Sequence, residues 1–151
     1  MTDELDRLES WAGALLARVA PTQRRQLALR IARDVRTDQQ RRIAEQRNPD
    51  GSPFAPRSAR FRDKSGRIRR RAMFAKLRTS KHLKARADAN VAEVGFTGRT
   101  SRLASVHQYG GSDRMSRTGP RVRYPARRLL GLAPDSTECI REMILRHISE
   151  N

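Results

Sequence analysis

Apolar residues recur at helical spacing at both ends of the chain and lose that period in between. Leu5, Leu8, Trp11, Leu15, Leu16 and Val19 fall on one helical face, which predicts an amphipathic first helix ending near Ala20-Pro21. Thr22 is placed to cap a second helix running from Gln23 to about Arg47. Leu27, Ile31, Val35 and Ile43 form its stripe, with arginine and glutamine filling the other positions. The heptads are too few for a coiled coil, so the stripe reads as a core face. Asn48-Pro49-Asp50-Gly51 stops this helix. Near the other end Ile140, Met143, Ile144 and Ile148 mark one face of a C-terminal helix, and Asp135-Ser-Thr-Glu138 reads as its capping box.

The middle of the chain is patterned differently. Residues 48–66 contain three prolines and two glycines, with Phe54 and Phe61 as their large apolar groups. Such a stretch buries too little to offset its own ordering entropy, so it reads as an extended arm. Over residues 67–78, Ile68, Met73, Phe74 and Leu77 allow a short, very basic helix. Val91, Val94 and Phe96 suggest a strand that Gly95 and Gly98 bring to a turn. Leu103 and Val106, after a cap at Thr100 or Ser101, suggest a short helix closed by Gly110-Gly111. Residues 112–120 read as a polar loop, and Arg121-Val-Arg-Tyr124 as a strand leading to Pro125. Strands and helices do not alternate regularly. The expected class is therefore α+β, a single domain over residues 1–151 with amphipathic helices at both ends, a small, mainly antiparallel sheet and a long arm.

Charge adds what periodicity leaves out. Lys and Arg number 33 against 16 Asp and Glu, a formal net charge of +17. The excess is concentrated between Arg57 and Arg86, where thirteen basic residues face Asp63 alone. A generic solvated face mixes signs, so this block implies an anionic partner, either a phosphate backbone or an acidic protein surface. Its candidate contacts are Arg67, Arg69, Arg70, Arg71, Lys76 and Arg78. With Phe61 and Phe74 as its aromatics, and no zinc-ligand spacing or helix-turn-helix, any contact with nucleic acid would be sequence-blind. Gly95-Phe-Thr-Gly98 follows a strand rather than joining two helices, which sets aside a KH-type loop.

Catalytic chemistry finds little footing. His82, His107 and His147 stand apart, with no carboxylate or cysteine at metal-ligand spacing. His107 reads as a helix-end residue whose ring hydrogen-bonds the following turn. No phosphate-binding or dinucleotide fingerprint occurs. The expectation is a non-enzyme without cofactor or metal. Cys139 lies in a helical pattern and reads as a small buried or half-buried apolar group. The acidic N-terminus lacks an apolar leader and no stretch is long enough to span a bilayer, so the chain is expected to be soluble, cytoplasmic and without a membrane partner. Tyr109 and Tyr124 border Gly110 and Pro125; rings held beside fixed turns serve either as interface anchors or as caps on the core. Phe54, beside its prolines, with Pro49 and Gly51 fixing the loop, joins them as a candidate interface residue.

Four phrases carry a family likeness: Asn48-Pro-Asp-Gly-Ser-Pro-Phe-Ala-Pro-Arg57, Arg70-Arg-Ala-Met-Phe-Ala-Lys-Leu-Arg78, Val106-His-Gln-Tyr-Gly110 and Tyr124-Pro-Ala-Arg-Arg-Leu-Leu-Gly-Leu132. In wording and spacing, from about Leu27 onward, the chain resembles the phage virion morphogenesis family, the S-type tail-completion proteins of contractile-tailed and Mu-like phages. The resemblance implies a structural protein of the virion, assembled in the bacterial cytoplasm, that caps the head-proximal end of the tail and enables head-tail joining. Its implied partners are copies of itself in a six-fold ring and tail tube, sheath or neck proteins; the basic charge adds a non-specific contact with double-stranded DNA in the channel. No catalytic residues come with it. The alternative from charge alone is a sequence-nonspecific nucleic-acid-binding accessory protein.

Overall fold

The computed structural model describes residues 2–57, 72–114 and 116–150. In chain order the elements are α1 (Thr2–Leu16), α2 (Pro21–Ala44), β1 (Leu83–Ala87), β2 (Ala92–Phe96), α3 (Arg99–Tyr109), β3 (Gly111–Arg114), β4 (Arg121–Tyr124) and α4 (Pro134–Ser149). The class is α+β, with helices toward both ends and two small two-stranded sheets, β1-β2 and β3-β4. The described residues gather into two compact units.

The first unit takes the chain up to Asp38, Lys84–Val94, and the chain from Leu132 onward. Leu8, Leu27, Ile140 and Ile144 form its buried centre, flanked by Trp11, Ile31, Val35, Leu132 and Ile148. These are the stripe residues of three helices, and each fully buried aliphatic side chain contributes about 1.5–3 kcal/mol. Two helix starts here, those of α2 and α4, use proline. Pro21 opens α2, with the Arg24 N–H donating to the Ala20 carbonyl at 2.9 Å, so Thr22 lies inside the helix and not at its cap. Pro134 does the same for α4, whose N-cap is Ala133 with no side-chain bond. The expected capping box therefore does not form. Ser136 instead donates to Asp38 Oδ2 at 2.7 Å, and Glu138 pairs with Arg141. Cys139 is exposed, on the side of α4 away from the Ile140-Ile144 stripe, which corrects the expectation of a buried thiol.

The second unit comprises Gly95–Gly131 and the described part of Gln39–Leu83. Ile43, Phe54, Leu77, Ala104 and Leu129 are its buried apolar centre, with Met73, Phe74 and Phe96 against it. The predicted basic helix is absent from its described part. Residues 73–78 form turns, because Phe74 takes a left-handed φ of 65° that a helix cannot accommodate. Helix α3 begins after Gly98 without a side-chain cap; Thr100 Oγ1 donates backward to the Thr97 carbonyl at 2.6 Å. The expected polar loop at 112–120 contains a strand, since β3 pairs antiparallel with β4 in the register Gly111↔Tyr124, Ser112↔Arg123, Asp113↔Val122 and Arg114↔Arg121. β1, which apart from Leu83 belongs to the first unit, is a further strand that the sequence pattern does not predict. Leu83-Lys-Ala-Arg-Ala has one large apolar residue, and its hairpin is fixed by the turn, where Asp88 Oδ1 accepts from the N–H groups of Asn90 and Val91 at 2.6 and 2.8 Å.

Candidate functional site

The phrases that stand out in the sequence meet in the second unit, around an extended strap over residues 125–131. Regular pairing with a strand is absent along it. Side chains from three other segments, α2, the Asn48 loop and α3, take over that task with the His107 carbonyl. Asn48 Oδ1 accepts from the Arg128 N–H at 2.9 Å, and the His107 carbonyl accepts from the Arg127 N–H at 2.6 Å. Arg42, 7% exposed, donates to the Arg128 and Leu129 carbonyls at 2.9 and 2.8 Å, and to the Arg47 carbonyl at 2.9 Å.

Two glutamines grip the strap at two points each. Gln108 donates to the Leu130 carbonyl at 2.8 Å and accepts from the Leu130 N–H at 2.9 Å. Gln39 does the same to Gly131, at 2.9 and 3.1 Å, and Arg42 donates to the Gln39 side-chain oxygen. A third glutamine, Gln46, holds Met73 in the same way at 3.0 and 2.8 Å. A primary amide carries one donor and one acceptor side by side, so it stands in for the peptide edge of a missing neighbouring strand. Periodicity could not reveal this, because Gln39 and Arg42 sit on the buried side of α2 where apolar residues are sought. The available signal was polar residues interrupting the stripe between Val35 and Ile43.

The Pro-rich loop is fastened from both sides. Asn48 donates to the Ser52 and Pro53 carbonyls, and Asp50 accepts from the Ser52 N–H at 2.9 Å and from its hydroxyl, which together hold the Asp50 carboxyl below its ordinary range. Gly51 takes a φ of 86° at this turn. Farther along, Arg127 reaches the Ala55 and Pro56 carbonyls at 2.7 and 2.8 Å. Burial, with Arg57 as a second cause, lowers the Arg127 pKa.

A row of rings ties these pieces together. Phe54 meets Phe74 edge-on at 5.9 Å, Phe74 meets His107 at 4.8 Å, and His107 meets Tyr124 at 4.9 Å. His107 is 8% exposed, with Nδ1 3.5 Å from the Arg127 guanidinium; burial first, and that cation second, push its pKa down to about 4. It is therefore a neutral packing group at neutral pH. Gly110 follows at φ 71°, and a Cβ there would stand 3.1 Å from the Ala126 nitrogen, so the chain passes its own strap too closely for a side chain.

The candidate interface residues are thus unequally placed. Phe54 is 6% exposed inside its own unit, Pro49 is buried and Tyr124 is half-buried. Gly51 and Pro125 are exposed, and Tyr109 stands out at 80%. Among the basic candidates Lys76 is exposed and Arg78 half-buried, while Arg67, Arg69, Arg70 and Arg71 lie outside the described residues, as does residue 58–66 of the expected arm. Among the described residues no cluster of three or more His, Cys, Asp or Glu is placed to hold a metal, and no helix is long and apolar enough to cross a membrane.

Comparison with known proteins now adds weight to the phrases. The chain is 40% identical over 148 residues to tail completion protein S of Escherichia phage P2, covering 97% of this chain and 98% of that one. No solved structure matches it. The phage virion morphogenesis family matches residues 3–149, including the first helix where the phrases are silent, and the chain belongs to that family.

Proposed function

We propose that this protein completes the phage tail as a structural, non-catalytic component. The observation that carries the reading is the near full-length similarity to tail completion protein S of phage P2. Its place would be the head-proximal end of the tail, which it caps and readies for joining to the head. Its partners there would be further copies of itself, in a six-fold ring, and tail tube, sheath or neck proteins; the basic block from Arg57 to Arg86 would face acidic protein or DNA in the channel.

An exposed aromatic side chain beside a fixed turn supports an assembly role. Tyr109 keeps four fifths of its surface in solvent at the end of α3, while Gly110 fixes the backbone directly after it. An aromatic side chain held in that way gives up little entropy when a partner covers it. Pro125 and Gly51 are the other exposed candidates.

The test is complementation of a phage lacking this gene, scored by electron microscopy. Loss of the protein should leave filled heads and unjoined tails, and Tyr109→Ala should reproduce that defect with an unchanged melting temperature of the free protein. Normal joining without the protein would overturn the functional reading; normal joining by Tyr109→Ala would overturn only the assignment of the anchor.

A further inference from the structure

The β3-β4 hairpin presents a cationic face that the sequence pattern conceals. Its strands alternate in exposure. Ser112, Arg114, Arg121 and Arg123 are exposed, whereas Gly111, Asp113, Val122 and Tyr124 are half-buried. Arg114 and Arg121 are direct cross-strand partners. Their Cβ atoms are about 5 Å apart, and Arg123 follows Arg121 on the same face at about 6.7 Å. Among the hairpin's described residues no carboxylate shares this face. The hairpin's one acid, Asp113, alternates to the other side and pairs with Arg102 at 2.9 Å, its own side chain 18% exposed.

An exposed two-stranded ribbon is usually blunted by charge, and that would be the ordinary account of these residues. It does not explain why like charges stand directly opposite one another, an arrangement that costs stability. Mixed signs would protect the edges as well. Nor does it explain the choice of arginine at all three positions, the side chain whose planar fork grips phosphate at two points.

We infer that this arginine face is a sequence-blind binding surface for the phosphate backbone of duplex DNA. An acidic protein surface would satisfy the three guanidinium groups only if its carboxylates happened to repeat at strand spacing. A duplex repeats by construction, carrying one negative charge for about every 1.7 Å of its axis. The exposed Arg117 in the connection between the strands extends the positive surface beyond β3. This inference stands apart from the tail-completion reading, since it rests on the hairpin alone.

The experiment measures binding of the full-length protein to two unrelated fluorescent duplexes of about 25 base pairs, by anisotropy, from about 50 to about 200 mM salt. Both duplexes should bind equally. The triple variant Arg114→Gln, Arg121→Gln, Arg123→Gln should flatten the slope of log affinity against log salt by about 2–3, at roughly 0.9 per lost phosphate contact. Lysine at the same three positions should restore most of the slope. A control triple on α2 and the connection before it, Arg18→Gln, Arg25→Gln, Arg33→Gln, removes the same charge from other exposed positions and should leave the slope near that of the unaltered protein. The glutamine hairpin should melt at the same temperature or higher, because a repulsive pair has been relieved. An unchanged slope in the hairpin variant, or an equal loss in the control, overturns the inference. So does a polyglutamate peptide that displaces the duplex at equal charge concentration, which would assign the face to an acidic protein partner. A lower melting temperature in the glutamine hairpin would make the arginines structural and overturn it as well.

Discussion

The two units are held together by different means. In the first, three helices bury stripes of aliphatic side chains around Leu27 and Ile144, and polar contacts such as Ser136 to Asp38 lie at the margin. In the second, a small apolar centre is surrounded by irregular backbone whose N–H and C=O groups are claimed one by one by Arg42, Gln39, Gln46, Asn48 and Gln108. Apolar packing is non-directional and tolerates exchange of similar volumes. Hydrogen bonds to fixed backbone groups are directional, and a lost partner leaves a desolvated group behind. The second unit is therefore specified by chemistry at named atoms, the first by shape and hydropathy.

The largest effect should come from breaking the directional side. Arg42→Met keeps a long apolar stem but strands the Arg47, Arg128 and Leu129 carbonyls. At about 1–3 kcal/mol for a buried group left unsatisfied, and less for the part-buried Arg47 and Arg128 carbonyls, the protein should lose roughly 3 kcal/mol, read from denaturant unfolding. A loss under 1 kcal/mol would mean that the carbonyls find water, and the contrast between the units would collapse.

Acid should act more mildly, and through the second unit. His107 is held neutral with a pKa of about 4, against an ordinary 6.5. Between those values the unfolded chain takes up a proton that the folded chain refuses, so stability is complete above pH 6.5 and declines as pH falls toward 4. Thermal melts from pH 7 to 4.5 should show a steeper acid-side decline for the unaltered protein than for His107→Gln. Parallel declines would refute the role given to burial.

The smallest effect belongs to the apolar side. Leu27→Met, a swap of similar volume at a residue 1% exposed, should cost less than about 1.5 kcal/mol. A cost matching that of Arg42→Met would show the first unit to be just as exacting.

The same contrast explains what the sequence disclosed. Leu8, Leu27, Ile140 and Ile144 announced their unit because a helix repeats its buried face every 3.6 residues. The helix start signals were misleading where proline supplied the geometry that Thr22 and Asp135-Ser-Thr-Glu138 were expected to supply. In the second unit, Pro49, Gly51, Gly110 and Tyr109 marked turns and an exposed ring, but Gln39 and Gln108 gave no periodic sign of holding a strap 92 and 22 residues away. β3 escaped notice because Gly-Ser-Asp-Arg has no apolar alternation; its pairing with β4 rests on backbone, and its exposed side serves solvent or an anion. Phe54 illustrates the remaining difficulty. An aromatic set among prolines suits a neighbour's surface or its own core equally well, and here it lies in the core of its own unit.

Length is the property the strap cannot vary. Segments without regular secondary structure ordinarily absorb an inserted or deleted residue at small entropic cost. Here Arg127, Arg128, Leu129, Leu130 and Gly131 each present polar groups to fixed partners, with Arg42 serving both Arg128 and Leu129. One added residue would put the Leu130 grip on the wrong peptide and turn Leu129 out of the core. A stretch that looks like a loop thus behaves like a key cut to a single lock, its spelling flexible at Ala126 and its spacing not flexible at all.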